Sequence, residues 1–464
     1  MKRDVHHPEP LIVGDQTPGE VGGEIIDHVL NPRLGRGWWI CLAISVALLG
    51  VFALSVSVLL YHGLGVWGLQ HPVGWGLAIV NFVWWVGIGH AGTFISAFLL
   101  LMSQGWRTSI NRFAEAMTLM AVACAAIFPL FHLGRPWLAY WLAPYPNRMD
   151  LWPQWRSPLL WDFAAISTYG TVSFLFWYLG MVPDLAMIRD RCHGFRRKVY
   201  AVLALGWRGS ARHWSLHKRA YLWLAALATP LVVSVHSIVS FDFATSVVPG
   251  WHSTIFPPFF VAGAILSGFA MVVTLAIPLR KIMGLERYIT MQHLENAAKL
   301  MLVTSMLVTY GYVGEIFTAW WSNEPYDMAY VSHLFTGVYA PIWYMVLFCN
   351  SVLPQFFWLR RFRTSTTALL LISLAVNLGM WGERFMIVVA ALYRDFLPSS
   401  WREYWPTVWD WGIYLGTFGI FSFGMLLFVR FLPVIAASEM VELAHELRHE
   451  AGSEKAFQGQ EEAP

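Results

Sequence analysis

Read for its hydrophobic pattern alone, the chain alternates long apolar stretches with shorter polar ones. Ten stretches are long enough to cross a bilayer, near residues 38–60, 75–102, 113–133, 159–188, 220–242, 254–279, 295–318, 332–358, 366–390 and 409–435. About 20 apolar residues in a helix span the hydrocarbon core. In lipid every backbone N–H and C=O needs a partner inside its own segment, so all ten are predicted to be helices. The predicted fold class is an all-α, polytopic membrane protein with about ten transmembrane helices.

Composition supports this pattern. The chain is 57% hydrophobic and only 13% charged, against about 25% charged in a soluble domain, and its mean hydropathy is +0.52. The 26 Trp residues gather near the predicted span ends, as an interfacial aromatic belt requires. The lipid bilayer is thus the expected solvent, and nothing points to nucleic acid. Cys41, Cys124, Cys192 and Cys349 stand alone with no C-x-x-C pair. That excludes an iron–sulfur cluster or Cys-rich zinc site built on a local motif and leaves small core residues; no metal site is expected. Residues 1–36 are polar and lack the early apolar region of a signal peptide.

Charge sets the orientation. With the N-terminus cytoplasmic, 25 of the 31 Lys and Arg residues face inward, nine of them in the 189–219 loop and others at Lys2, Arg3, Arg33, Arg107 and Arg112. Only Arg135, Arg148, Arg156, Arg394 and Arg402 face outward, and Arg384 lies within a span. Cytoplasmic loops carry the excess of positive charge, so both termini are predicted to be cytoplasmic.

A faint repeat divides the chain. Glu115 and His132 on the third span are 17 residues apart, as are Glu295 and Tyr312 on the seventh. Segments 74–243 and 244–391 are therefore expected to be two related four-helix bundles. They are flanked by a polar segment (1–36), a first span (37–73), a last span (392–436) and a tail (437–464). From Ser438 the tail reads as a short charged helix followed by disorder.

Candidate chemistry comes from ionisable residues inside the spans, where a charge costs about 2.5–3.5 kcal/mol on insertion scales. At 1.5 Å per residue, His132 lies roughly 28 Å along the third span, at its outer end. Asp162 is expected in the first turn of the next helix, so the two would face one loop-lined pocket from adjacent helices. Asp242, Glu315, Glu383 and Arg384 fall in the same outer third, with His236 roughly 9 Å deeper than Asp242. The inner half holds His90, among Gly87, Gly89 and Gly92, which allow close helix packing, and Glu115 and Asp184 near inner span ends. Each has a plainer reading. Glu383–Arg384 also fits a structural ion pair, His90 and His236 fit satisfied core histidines, Glu115 fits an interfacial anion, and Asp242 fits a surface cap.

An outer cluster of His and carboxylate suits quinol oxidation, which removes two electrons and two protons and needs hydrogen-bonding groups and a tunable base. The chain shows no redox cofactor of its own, so electrons would leave to a centre in a partner docked above the 134–158 loop. A b-type haem needs axial ligands at matching depth, which His90 and His132 do not provide. A secondary transporter is the rival of another class, because repeats and buried charges mark it too.

The runs GIGHAGTFISA around His90, FPLFHLGRPW around His132 and SPLLWDFAAISTYG around Asp162 resemble NrfD/PsrC-type membrane subunits, over about residues 38–435. Within that family the ten spans and charged tails look closest to the C subunit of alternative complex III. The resemblance implies a respiratory or photosynthetic quinol-oxidising subunit of the bacterial inner membrane, with menaquinol as bound substrate and no haem or iron–sulfur cluster of its own. Its implied partners are a periplasmic iron–sulfur subunit, a second NrfD-like membrane subunit and c-type cytochrome subunits. By the same resemblance His132 and Asp162 bind the quinol head group, with Arg384 a weaker carry-over; Glu383 and Tyr169 are further candidates for the quinol site. His236, Asp242, His90, Glu115, Glu315 and Asp184 are the candidates for a proton path. Smaller relatives have eight spans. The two extra spans here argue against a polysulfide- or DMSO-reductase-type anchor, which stays open as an alternative.

Overall fold

A computed structural model of the chain describes residues 10–14, 16–32, 34–143 and 154–461. Lys2, Arg3, Arg33 and Arg148, and the centre of the loop expected to receive a partner, lie outside the described residues. Every regular element described is helical. Ten helices are long and apolar enough to cross a membrane, in agreement with the hydropathy pattern.

The chain opens with a short helix α1 (Pro18–Leu30), started by a Thr17–Glu20 capping box. The spans follow as α2 (Arg36–His62), α3 (Gly76–Leu101), α4 (Asn111–His132) and α5 (Pro158–Arg191). After the short α6 (Gly194–Leu203) come α7 (Ala211–Ala244), α8 (Phe256–Ile282) and α9 (Met291–Ser322). Next are α10 (Pro325–Thr336), α11 (Ala340–Leu347), α12 (Arg360–Arg363), α13 (Thr366–Phe385), α14 (Val408–Phe431) and α15 (Ala437–Glu461).

Three expectations are corrected. The eighth span does not run over 332–358; it is broken into α10 and a separate span, Ala340–Trp358. Gly337 closes α10, its N–H bonding the His333 carbonyl, and Pro341 sits at the start of the next helix, where a missing N–H costs nothing. Beyond α11 the backbone passes through a π turn (Phe348–Val352) and a 3₁₀ turn (Leu353–Trp358) that begins beside Pro354, a residue with no N–H to give to a regular ladder. The fifth span starts nine residues before the hydrophobic window, at Ala211, because Ser210 caps it by accepting from the His213 N–H. The tail helix is longer than expected: α15 runs to Glu461 and packs on α1, so the first and last described helices lie together.

α3 is the hub. It is 83% buried across its span, against 17% for α2, and it packs on α4, α7, α8, α13 and α14. Such contact needs small residues: at Gly92 a methyl group would stand 2.1 Å from the Ala114 carbonyl oxygen. α5 pairs with α7, α8 with α9 and α13, and the first and last spans, α2 and α14, pair with each other. Most of the α2 side chains, Ile40, Ile44 and Leu54 among them, are exposed and apolar, as a lipid-facing helix requires.

Candidate functional site

α4 ends in His132 and α5 begins just beyond the loop, with Pro158 in its first turn. Asp162 is the fifth residue of α5, in the second turn rather than the first. Because α5 and α7 are packed antiparallel neighbours, Asp162 near the start of one meets Asp242 near the end of the other. Their carboxyl groups lie close together. His132 does not complete this pair. No hydrogen bond or ion pair joins it to Asp162 among the described residues; its ring stacks on Trp67, 6.2 Å between centroids. What the three groups have in common is an unmet need. His132 Nδ1, Asp162 Oδ1 and Asp242 Oδ1 are all buried with no hydrogen-bond partner among the described residues.

Deeper in the bundle lies a second pair. His90 Nδ1 on α3 and His236 Nδ1 on α7 are 2.8 Å apart, and both rings are buried. One ring nitrogen donates and the other accepts. Tyr169 from α5 packs on His90 at 4.5 Å. Its hydroxyl donates to the Gly89 carbonyl at 2.8 Å, which places Tyr169, a candidate for the quinol site, beside the histidine pair and not at the His132 end. His90 therefore does not stand apart in the inner half: it and His236 form one unit at one depth.

Glu383 and Arg384 on α13 form a buried ion pair. The Tyr312 hydroxyl donates to Glu383, Asn350 Nδ2 donates to the Tyr312 oxygen at 2.9 Å, and the Arg384 guanidinium lies 4.7 Å over the Phe260 ring. Phe260 in turn packs on His236 at 5.9 Å, so this group adjoins the histidine pair through one aromatic ring. Glu315 accepts from the Ser253 hydroxyl, near the His252–Asp327 contact of 3.5 Å, apart from the Asp162–Asp242 pair.

At the opposite, basic end Glu115 and Asp184 are held by a residue counted as part of a positive loop. Arg112 lies inside α4, buried, 3.2 Å from Glu115 Oε2 and 3.3 Å from Asp184 Oδ2. Ser96 and Tyr221 donate to Glu115. The Ser438 N–H at the start of α15 donates to Asp184 Oδ1 at 2.9 Å, and Glu439 meets Arg107 at 2.6 Å. Glu115 is thus no interfacial anion but half of a buried network that the tail helix covers. Its signal in the sequence is Arg112 three residues before Glu115, one helical turn away.

Residues 65–394 match the model of the family described as "Polysulphide reductase, NrfD". The match takes in α3, with its histidine, and both helices that bear the outer carboxyls. The chain belongs to the NrfD family. It is 29% identical over 248 residues to a putative dimethyl sulfoxide reductase membrane subunit of Halobacterium salinarum, covering 53% of this chain and 52% of that protein. The chain thus spans about half the length of that relative. It is 21% identical over 435 residues to the C subunit of a selenate reductase of Mesobacillus selenatarsenatis, covering 86% of this chain and 95% of that protein. A selenate reductase subunit therefore aligns over nearly the whole of this NrfD chain, and the two extra spans do not argue against a reductase-type subunit.

Proposed function

We propose that this NrfD-family chain is the quinol-oxidising membrane subunit of a multi-subunit reductase complex, of the kind that the relatives' names describe. One observation carries the reading: three buried polar atoms on three helices, His132 Nδ1, Asp162 Oδ1 and Asp242 Oδ1, lack partners at one end of the bundle. Leaving such atoms unpaired costs about 1–3 kcal/mol each. A quinol head group brings two hydroxyl donors that would answer them.

The chemistry follows from the residues. Oxidation to the quinone releases two protons and two electrons. The neighbouring carboxyls of Asp162 and Asp242 are groups that can take a proton, and His132 is the base with the nearest-neutral intrinsic pKa. On this reading the electrons go to an iron–sulfur centre in a subunit docked over the 134–158 loop. Arg384 and Glu383 act on the site from the neighbouring bundle through Phe260 and His236. Protons would pass between the two ends by way of His236, His90, Glu115 and Asp184, with the Lys/Arg-rich end cytoplasmic in a bacterial inner membrane and menaquinol as substrate.

An alternative complex III-like assembly is the second reading. It rests on the tail helices α1 and α15, which pack on each other and belong to the charged tails that carry the likeness. Co-purification separates the two: a molybdopterin subunit marks the reductase, c-type cytochromes the other. Menaquinol oxidation by the purified complex, lost in Asp162→Asn with assembly intact, tests the site itself. Solute flux in vesicles with normal quinol oxidation in that variant would replace it with a transporter.

A further inference from the structure

A large cavity lies away from the outer carboxyls. It is a cleft of about 2140 Å³ walled by α2, α8, α13 and α14, with Trp84 and Trp85 of α3 on its floor and α1 across its basic end. A drug-sized ligand needs roughly 300–1,000 Å³, so the cleft has room for a head group and a long chain. Its rim residues Leu374, Leu378 and Trp411 are exposed, while Trp84 and Trp85 on its floor are buried. The cleft therefore opens sideways, on the face that meets lipid.

Its far end is an aromatic slot. Trp381 stacks on Tyr414 at 6.0 Å and meets Trp411 at 5.8 Å, roofing the cleft. Trp84 lies 5.9 Å from Tyr414 and 5.6 Å from Phe418 beneath. The indole N–H groups there are engaged: Trp84 with the Asn377 carbonyl, Trp85 with Thr417 and Trp381 with Asn81. One turn below Trp381, Asn377 Nδ2 donates to the Ser373 carbonyl at 3.0 Å and to Thr274 at 3.3 Å. That fixes the amide's direction and leaves Asn377 Oδ1, on a residue only 7% exposed, as an acceptor with no partner among the described residues. Asn377 stands eleven residues into α13, roughly 16 Å from its start and so at mid-bilayer depth.

We propose that this cleft is a second binding groove for an isoprenoid quinol, separate from the outer carboxyls, with the ring in the aromatic slot and one ring hydroxyl donating to Asn377 Oδ1. The mid-membrane acceptor selects the occupant. A phospholipid carries its donors at the interface and only hydrocarbon at this depth, whereas a quinol carries a hydroxyl on a flat ring. The prenyl chain then runs along the apolar wall of Leu275, Leu279 and Met425 or leaves past Leu378. The choice of a quinol over another lipid-soluble hydroxyl rests on the proposed function; the groove and its acceptor do not.

The test is photolabelling of the purified whole complex with an azido-naphthoquinone bearing a short prenyl tail. Label is expected in peptides from α13 or α14, competed by unlabelled menaquinol. It should fall at least tenfold in Asn377→Leu and in Leu378→Trp, which fills the rim without breaking a buried bond, and persist in His132→Ala. Label confined to α4 and α5 would overturn the groove and leave the outer site standing; no label in either would remove both. A partner's helix cross-linked into the cleft, or Thr274→Cys reacting with a membrane-impermeant thiol reagent from the basic side, would also overturn it.

Discussion

His90 and His236 face each other Nδ1 to Nδ1 at 2.8 Å in the middle of the helix bundle. With both rings buried, the bond exists only while the pair holds one Nδ1 proton and one Nδ1 lone pair. Changing one partner strands the other's nitrogen in hydrocarbon, at about 1–3 kcal/mol; changing both removes the need. His236→Leu and His90→Leu should therefore each destabilise the detergent-purified complex by that amount. The double variant should lose clearly less than the sum. Thermal unfolding of the four proteins measures this, and strict additivity would show that the two rings do not depend on each other.

Asp162 and Asp242 bring two buried carboxyls close together, and an amide can imitate a protonated carboxyl in a hydrogen bond but cannot accept a proton at neutral pH. Asp162→Asn and Asp242→Asn should assemble normally. Each should lower menaquinol turnover by about 10²-fold or more, in the range for loss of a positioned acid–base group. The same loss is expected for His132→Ala. The readout is steady-state quinol oxidation against the amount of assembled complex. Full activity in Asp242→Asn would mean that the pair is structural.

What was legible follows from which forces act locally. Span number and approximate ends are written in the apolar runs, because lipid tolerates nothing else. The break at Gly337 and Pro341 was present in the letters, yet hydropathy averages over it. The partnership of Asp162 with Asp242 required knowing that α5 lies against α7, which no local pattern states. Arg112 read as one more positive loop residue, because a count of charges does not see a helix that begins at Asn111 and carries its arginine inside. The start of α7 at Ala211 was hidden because polar helical turns outside the bilayer leave no hydropathy signal, only a cap at Ser210. The cleft beside Asn377 is a property of several helices together and has no signature on any one.

Arg112 bridges two buried carboxylates, Glu115 and Asp184. Removing one partner of a buried ionic group costs about 3–5 kcal/mol, while replacing the whole group by neutral residues is often tolerated. Arg112→Met should therefore deplete the subunit from the membrane, and Arg112→Met with Glu115→Gln and Asp184→Asn should recover much of it. Gly180→Ala should resemble the single variant, since a methyl there would stand 2.5 Å from Arg112 Nη1. Immunoblots of membrane fractions distinguish these outcomes; equal levels of all four proteins would show the network to be dispensable for folding.

The docking of α1 should depend on pH through Glu24, which lies outside the spans. Burial raises its carboxyl, but hydrogen bonds from Tyr288 at 2.7 Å and Gln16 at 2.9 Å, with the charge of Arg287 at 3.5 Å, outweigh burial and hold it below the ordinary carboxylate range. A depressed folded-state pKa contributes stability that is fully present above the unfolded value and is lost as pH falls through the folded one. α1 should stay protected at neutral and mildly acidic pH and loosen only once the pH drops below the usual range for glutamate. Hydrogen exchange of residues 18–30, referenced to an unstructured peptide at each pH, measures the change. In Glu24→Gln the protection should be lower at neutral pH and no longer vary through that window; an unchanged pH profile in this variant would assign the effect to another group.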